Sequence, residues 1–488
     1  MAIKLYNPEY LDIDAIIKAN PIPKGKGIHR DNLLFIIHCI MVRMAYLSTE
    51  HLKRLGKQDG FLPLNAKYLE SKISRYKNNV EYLKNVGIIE TDDSYLTKNV
   101  SKGYRLTGTF RGQGFKKTAI TYLPLCRKIK KDSPFRKDKI AAKEFPYLAK
   151  WFQTGKLEID FKEACNWINE SEKSELLLIN NNNSLSNSKK LAEKKKTFEK
   201  YRGFRMLATR LEEKSYYFNK DEFGNRLHTN LTNLPKELRN FLSYDGQNLV
   251  SIDIRNSQPY MSIPLLSKKF WQSKPIPGKP TLFKIDSNMY KDRKWDKYKR
   301  NIIIMFNDSS EILSSSDFQL AEFVKNVTNG TFYEHLISVF DKSQSIDLGT
   351  SEPEKRVNVK KMVLTVLFDF DNKFYNKAEN SAYQAFRKEF PTVSKIFRHV
   401  KEGGYRSLAK ILQKIESYLI LSVICKRISK ETPHIPIFTI HDSIVTTAGN
   451  EEYVQSVMKE ELEKAIGLAP KFSIEYWIKQ GLESVEAA

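Results

Sequence analysis

Two apolar segments, far apart in the chain, each run into an aspartate, and this constrains the fold more than any other feature of the sequence. Leu249-Val-Ser-Ile-Asp253-Ile has the apolar density of a buried strand. Ile435-Pro-Ile-Phe-Thr-Ile-His441-Asp442-Ser443-Ile-Val-Thr has two apolar stretches broken by His441 and Asp442, the pattern of a tight hairpin. A carboxylate at the end of a buried strand needs a cation or a set of hydrogen-bond donors. Two such acids brought side by side repel each other unless a divalent metal sits between them. A pair of magnesium ions about 4 Å apart, clamping entering and leaving oxygens, is the usual reason for that arrangement in phosphoryl and nucleotidyl transfer. Taken singly, either aspartate reads more readily as a structural residue than as a catalytic one.

Between them, Lys355-Arg-Val-Asn-Val-Lys-Lys-Met-Val-Leu-Thr-Val-Leu-Phe368 reads as a helix. Arg356, Lys360, Leu364 and Phe368 recur every four residues, which stacks them along one face. Two cations followed by two apolar groups suit a triphosphate at one end and a base or sugar at the other. An amphipathic helix with a basic rim has the same pattern.

Charge points the same way. Lys plus Arg number 81 against 57 for Asp plus Glu, a formal net charge of +24, so an anionic partner is expected. A polyphosphate backbone fits best, because every neutralised phosphate releases counterions. Apolar runs of about 18 residues are absent and the start lacks an apolar signal core, so neither a membrane protein nor a secreted one is expected. Cys39, Cys126, Cys165 and Cys425 are scattered, without zinc-ligand spacing, and are expected to be idle thiols in the cytoplasm.

The 488 residues suffice for two to four domains at about 150 residues each. From Asp31 to Phe110 the pattern runs helix, two short helices with Asn65 and Ser74 as N-caps, then strands at Val86–Glu90, Ser94–Thr97 and Gly103–Thr107. That order resembles a winged helix-turn-helix, with Lys72, Arg75, Lys77 and Lys84 on or near the second helix. A protein-contact module with the same fold is the alternative. Residues 111–178 carry no clear signal, and Asn180–Ser188 reads as a polar loop. Lys189–Lys220 is a basic helical stretch interleaved with Tyr201, Phe204, Tyr216 and Tyr217, either a solvated face or a nucleic-acid backbone contact.

In order and content, the two acid-ended strands and the basic helix resemble the palm and fingers of family A DNA polymerases and the related phage-type single-subunit RNA polymerases, over roughly 223–472. Asp253-Ile-Arg-Asn-Ser257-Gln258 resembles the first catalytic motif. Arg356, Lys360, Leu364 and Phe368 match the fingers-helix pattern Arg-x3-Lys-x3-apolar-x3-Tyr, and His441-Asp442-Ser443 matches the second catalytic motif. Upstream, Gly224-Asn-Arg226-Leu-His-Thr-Asn230-Leu-Thr232 is similar to the segment that follows the primer-template minor groove. The helix Leu408–Arg427 resembles the one leading into the second palm strand, with Gln413 and Glu416 toward the duplex or the active site.

The resemblance implies an α+β right-hand polymerase of palm, fingers and thumb behind the winged-helix-like domain. The expected divisions are 1–125 for the DNA-binding domain, 126–220 for a connector and thumb-like region, and 221–488 for palm and fingers. It assigns two Mg2+ ions to Asp253, Asp442 and the Ile254 carbonyl, and catalysis to Asp253, Asp442 and Lys360. The nucleotide falls to Arg356, Lys360, Phe368, Gln258 and Ile254. Nucleic acid falls to Arg226, Asn230, Thr232, Gln413 and His441, with Arg75 and Lys77 in the N-terminal domain.

Implied partners are a DNA primer-template, or RNA, together with nucleoside triphosphates and other replication proteins. Family A has Glu where this chain has Gln258, and a fingers Tyr where it has Phe368. A Phe cannot hold Gln258 in place, and dNTP against NTP stays open. Phe368-Asp369 also replaces the usual Tyr-Gly. The first 220 residues lack the acidic motifs of a proofreading exonuclease, which suggests a compact DNA polymerase serving a plasmid, phage or mobile element. An RNA polymerase or primase, and a non-catalytic DNA-binding replication initiator, are the alternatives.

Overall fold

The computed structural model describes residues 3–46, 60–92, 101–111, 114–131, 140–271, 275–306, 318–342, 346–368 and 377–478. The chain mixes helix and sheet in two compact units. One comprises Met1–Lys139, Glu158–Tyr217 and Asn233–Leu242; the other comprises Ile140–Leu157, Phe218–Thr232 and Ser243–Ala488.

The first unit is built on β1 (Ile3–Pro8) and α1 (Arg30–Tyr46). Leu33, Leu34, Ile36, Ile37 and Ile40 of α1 are fully buried, so this helix is the centre of the core rather than a surface element. Its first turn is fixed by Asp31, whose buried carboxylate accepts from the amides of Thr121 and Tyr122 at 2.7 and 2.8 Å. A short strand, β2 (Leu62–Pro63), precedes α2 (Ala66–Lys72) and α3 (Tyr76–Asn85). Asn65 caps α2 as expected, accepting from Tyr68 N at 3.1 Å. Ser74 does not cap α3. Arg75 takes that place in the left-handed region, φ 56°, with no side-chain cap, because the chain must turn sharply between two helices only three residues apart.

Strands β3 (Ile89–Thr91) and β4 (Gly103–Leu106) pair antiparallel, and β2 adds to β4. The expected strand at Ser94–Thr97 lies outside the described residues. β5 (Phe115–Ile120) pairs with β1, Ile3 opposite Ile120.

Of the cations expected on the second helix, Lys72 is buried and its Nζ donates to the Lys128 carbonyl at 3.0 Å; its place on α2 turns it inward. Arg75 donates to the Gly25 carbonyl at 2.9 Å, and Lys77 is exposed.

Two long helices, α4 (Phe161–Asn181) and α5 (Asn187–Glu212), complete this unit. The polar loop is shorter than expected, since both asparagine-rich ends are helical and Ser186 caps α5. α4 is amphipathic, with Ala164 and Ile168 buried, and its period was not recognised in the sequence. Part of the cations and aromatics of α5 is taken up by α4. Lys200 and Tyr201 meet Glu175, Arg205 pairs with Glu172, and Tyr201 and Arg202 are buried. The interleaving of Tyr201 with cations therefore reflects helix packing at that point.

In the second unit, Phe152, Phe218 and Phe438 pack edge to face beside the sheet. A small hairpin of β6 (Phe218–Lys220) and β7 (Leu227–Thr229) leads to the central strand β8 (Gln247–Ile254). A short helix, α6 (Ser257–Met261), follows β8. Two further helices are α7 (Phe332–Asp341) and α8 (Glu352–Phe368). Glu354 N donates to Ser351 Oγ at 3.4 Å, while the Glu354 carboxylate accepts from Thr350 N at 3.2 Å, a reciprocal cap that starts α8. Val359, Val363, Val366 and Leu367 form its buried stripe, and Lys401 Nζ donates to the Val366 carbonyl near its end.

α9 (Ser407–Ser417) is buried on nearly every side and continues through a π-helical stretch, Tyr418–Ile424. Such wide turns are rare and frequent near functional sites.

The hairpin of β9 (Ile437–Ile440) and β10 (Ser443–Thr447) pairs with β8, and β11 (Phe472–Trp477) closes β8 on its other side, all antiparallel. No helix among the described residues is long and apolar enough to cross a membrane.

Candidate active site

The hairpin expected at His441-Asp442 is present. Ile440 faces Ser443, leaving His441 and Asp442 as the two turn residues, with His441 at φ 56°. Ser443 Oγ donates to the Ile440 carbonyl at 2.9 Å and tightens the turn.

On the neighbouring strand, Ile252 lies opposite Ile444. Continuing that register sets Asp253 beside Ser443 and Ile254 beside Asp442. Both aspartates thus stand at the same end of the sheet. A left-handed Asn256, φ 55°, then turns the chain into α6.

The electrostatics follow from that meeting. Burial pushes the Asp253 carboxyl up from 3.8 to about 7, the charge of Asp442 adds to the rise, and Lys360 opposes it; Glu416 and Glu475 push the same way as Asp442. Asp442 is also raised by burial, against the Ser257 hydroxyl, its own amide, Arg226 and Lys360, all of which favour its charged form. The site therefore concentrates negative charge that the protein only partly compensates.

Two mutually repelling carboxylates beside a strand-end carbonyl form an all-oxygen donor set, which suits a hard divalent cation such as magnesium. Among the described residues no cluster of three or more His, Cys, Asp or Glu side chains forms a metal cage. A bound ion would draw its remaining ligands from water or substrate, as magnesium commonly does.

Removing one charge relieves the metal-free protein. A carboxyl raised from 3.8 to about 7 holds its proton better folded than unfolded, so stability falls as pH rises through that window. Asp253→Asn is expected to melt higher than wild type by about 2–4 °C at pH 8 without divalent ions. At pH 4 the two should coincide. Magnesium at pH 8 should raise the melting temperature of wild type alone, as thermal melts with and without magnesium at both pH values will show.

Behind the pair lies Glu416 of α9, fully buried. Its oxygens accept from Arg226 Nε at 2.8 Å and Arg226 Nη2 at 2.9 Å, and from the Gln258 amide. Burial lifts the Glu416 carboxyl to about 7, with Asp442 adding to the rise and Arg226 opposing it. Gln258 is thus held. Its anchor comes from α9 rather than from the fingers-like helix.

Arg226 is engaged with this carboxylate. Thr232 is engaged within its own turn, donating to the Thr229 carbonyl at 2.8 Å, and Asn230 is buried. Gln413 packs against Gly224. A Cβ on Gly224 would fall 2.5 Å from Gln413 Oε1 and 2.7 Å from Gln413 Cβ, closer than side chains tolerate. Gly224→Ala should therefore cost about 1–3 kcal/mol, read as a lower urea midpoint at unchanged slope.

Lys360 is exposed on α8, and its charge reaches both aspartates. Arg356, one turn earlier, pairs with Glu334 of α7 at 2.8 Å. Leu364 and Phe368 are half-buried on the same helix, and Asp369 lies outside the described residues.

His441 stands edge-on to His228 at 5.8 Å between ring centres, and His228 Nε2 lies 2.9 Å from Asp221 Oδ2. Asp221 also accepts from the amides of Gly224 and Arg226, so it shapes the loop that presents Arg226. Asp221, His228 and Glu334 were not singled out in the sequence. An acid three residues before a glycine was the one available signal for Asp221.

No protein-family model and no curated protein matches the chain. Among solved structures, the POL domain of Pol1 from M. smegmatis, in complex with DNA primer-template and dNTP, is similar over 72% of this chain and 73% of its own. The identity is 11% and the TM-score 0.36. A superposition that loose fixes neither the arrangement of domains nor an activity.

Proposed function

We propose that this chain is a template-directed DNA polymerase: a compact nucleotidyltransferase without proofreading, serving a plasmid, phage or other mobile element in the cytoplasm. The observation that carries this reading is the meeting of Asp253 and Asp442 at one end of an antiparallel sheet, with Lys360 acting on both. In this reading residues 221–488 are palm and fingers, 126–220 a thumb-like region, and 1–125 a winged-helix-like DNA-binding domain that includes Arg75 and Lys77.

Asp253, Asp442 and the Ile254 carbonyl would hold two magnesium ions, which when bound lower the pKa of a primer 3′-hydroxyl and neutralise triphosphate charge. Lys360 stabilises the negative charge that grows on the triphosphate and supplies a proton to the leaving pyrophosphate. Arg356, on leaving Glu334, clamps the outer phosphates with its planar fork. Phe368 and Gln258 border the nucleotide, and His441 contacts the primer end. Arg226, Asn230, Thr232 and Gln413 line the path of the duplex.

Primer extension by the purified protein with magnesium tests this, giving dNTPs and NTPs separately. Extension with dNTPs supports the reading. Extension with NTPs alone moves it to an RNA-synthesising enzyme. No product from either set, alongside salt-sensitive DNA binding, moves it to a replication initiator.

A further inference from the structure

The start of α9 opens onto a cleft of about 410 Å3 whose walls include Asp292, Trp295, Tyr405, Arg406, Ser407 and Lys410. Two buried polar side chains border it. Ser407 is 9% exposed and Trp295 4%. Neither the Ser407 hydroxyl nor the Trp295 indole N–H makes a hydrogen bond among the described residues, and neither is sealed into the core. A buried donor left unmade costs free energy, and two of them on one cleft point to an acceptor that fills it. Glycines keep the place open. A Cβ on Gly403 would fall 2.4 Å from Trp295 Cζ2, and one on Gly404 would fall 3.0 Å from Ser407 Oγ.

The other groups call for an anion. α9 begins after Arg406 with no side-chain cap, which leaves amides of its first turn without an acceptor. Lys410 and Lys414 share the carboxylate of Asp286, at 2.8 and 3.0 Å, so one carboxylate answers two ammonium groups. Arg406 makes no ion pair among the described residues; its guanidinium lies over the Tyr405 ring, 5.1 Å from the centre. Asp292 is the opposing charge at the rim, and its carboxylate accepts from the Lys294 amide at 3.0 Å.

Neutral donors, a guanidinium and a half-exposed aromatic ring suit a phosphate with a base beside it. The surroundings favour a strand over a free nucleotide. The cleft is open along its length, and Lys291, Arg293 and Lys294 are exposed on the segment that carries Trp295. Glu416, whose charge acts on Asp253, lies nine residues after Ser407 on α9, about 14 Å along the helix. An unpaired strand held at the start of α9 is thus within about four nucleotides of the acids, at about 3.4 Å each.

We infer that this cleft is a nucleic-acid site separate from the acid pair, in which Ser407, Trp295 and Arg406 bind a backbone phosphate of an unpaired strand and Tyr405 takes the neighbouring base. The inference goes beyond the polymerase reading, since a strand can be held here with or without synthesis.

The test is fluorescence anisotropy of the full chain with a labelled oligothymidylate of about twelve nucleotides, over a range of salt and without nucleoside triphosphates. Arg406→Ala is expected to weaken binding at least about fivefold and to lower the slope of log K against log salt by about 0.7, the value of one phosphate contact on a single strand. Ser407→Ala should weaken binding about threefold at an unchanged slope, because the lost donor is neutral. Both variants should melt with wild type, since neither side chain is hydrogen-bonded in the fold. Lys459→Ala, which removes an exposed cation from another helix, is the control and should stay within about twofold.

Unchanged binding in either cleft variant overturns the inference. A loss in Lys459→Ala equal to that in Arg406→Ala also overturns it, because the effect is then one of bulk charge. Thymidine monophosphate bound as tightly as the oligonucleotide, and lost in Arg406→Ala, makes the cleft a mononucleotide site and overturns the strand. The expected pattern in a protein that extends no primer supports the inference and sinks the polymerase reading alone. Primer extension by a protein whose cleft variants bind normally sinks the inference alone.

Discussion

Asp442→Asn is expected to reduce primer extension at least about a thousandfold, the equivalent of about 4 kcal/mol in the barrier, while the protein remains folded. The side chain sits in a two-residue hairpin turn, and its charge is opposed by burial. The turn itself is held by strand pairing and by Ser443, and neither needs the carboxylate. Asparagine keeps the shape and one oxygen but removes the charge that would draw a cation to the pair. Asp253 then loses the neighbour that helps raise its pKa. The variant should therefore melt at or above wild type in metal-free buffer at pH 8, so lost activity is not lost fold. Extension within about tenfold of wild type would remove Asp442 from the chemistry.

The acid pair was legible because its two strands are apolar enough to be recognised and its acids interrupt that pattern at strand ends. α8 was legible for a related reason, a four-residue spacing that survives whatever packs against it. What sequence patterns do not carry is which side chain satisfies which. Arg226, expected along the path of a duplex, pairs with Glu416. Phe368 was expected not to hold Gln258, and the hold comes from Glu416, on a helix far away in the chain. Both depend on the approach of α9 to the sheet, a tertiary contact with no local signature.

The same limit explains Lys72, whose buried amine satisfies a carbonyl on another segment. It also explains Lys200 and Arg205 of α5, which are partnered by α4. A basic residue marks a binding surface only when no acid or carbonyl of the fold claims it, and that is decided in three dimensions.

Lys360 is the cation on α8 whose charge acts on both aspartates, while Arg356, one turn earlier, is paired with Glu334. Lys360→Ala is expected to lower kcat about a hundredfold, the scale of losing one preorganised charge at a developing anion. KM should change little, because the proposed grip on the outer phosphates belongs to Arg356.

Lys360→Arg separates the two duties of the side chain. It restores the charge but not the proton, since a guanidinium stays protonated throughout the accessible range. Its kcat should recover only in part. The helix will hold in both variants, because its buried stripe of Val359, Val363, Val366 and Leu367 is untouched. An alanine variant with kcat within about threefold of wild type, or an arginine variant with the full wild-type kcat, would leave Lys360 as an electrostatic neighbour of the acids and nothing more.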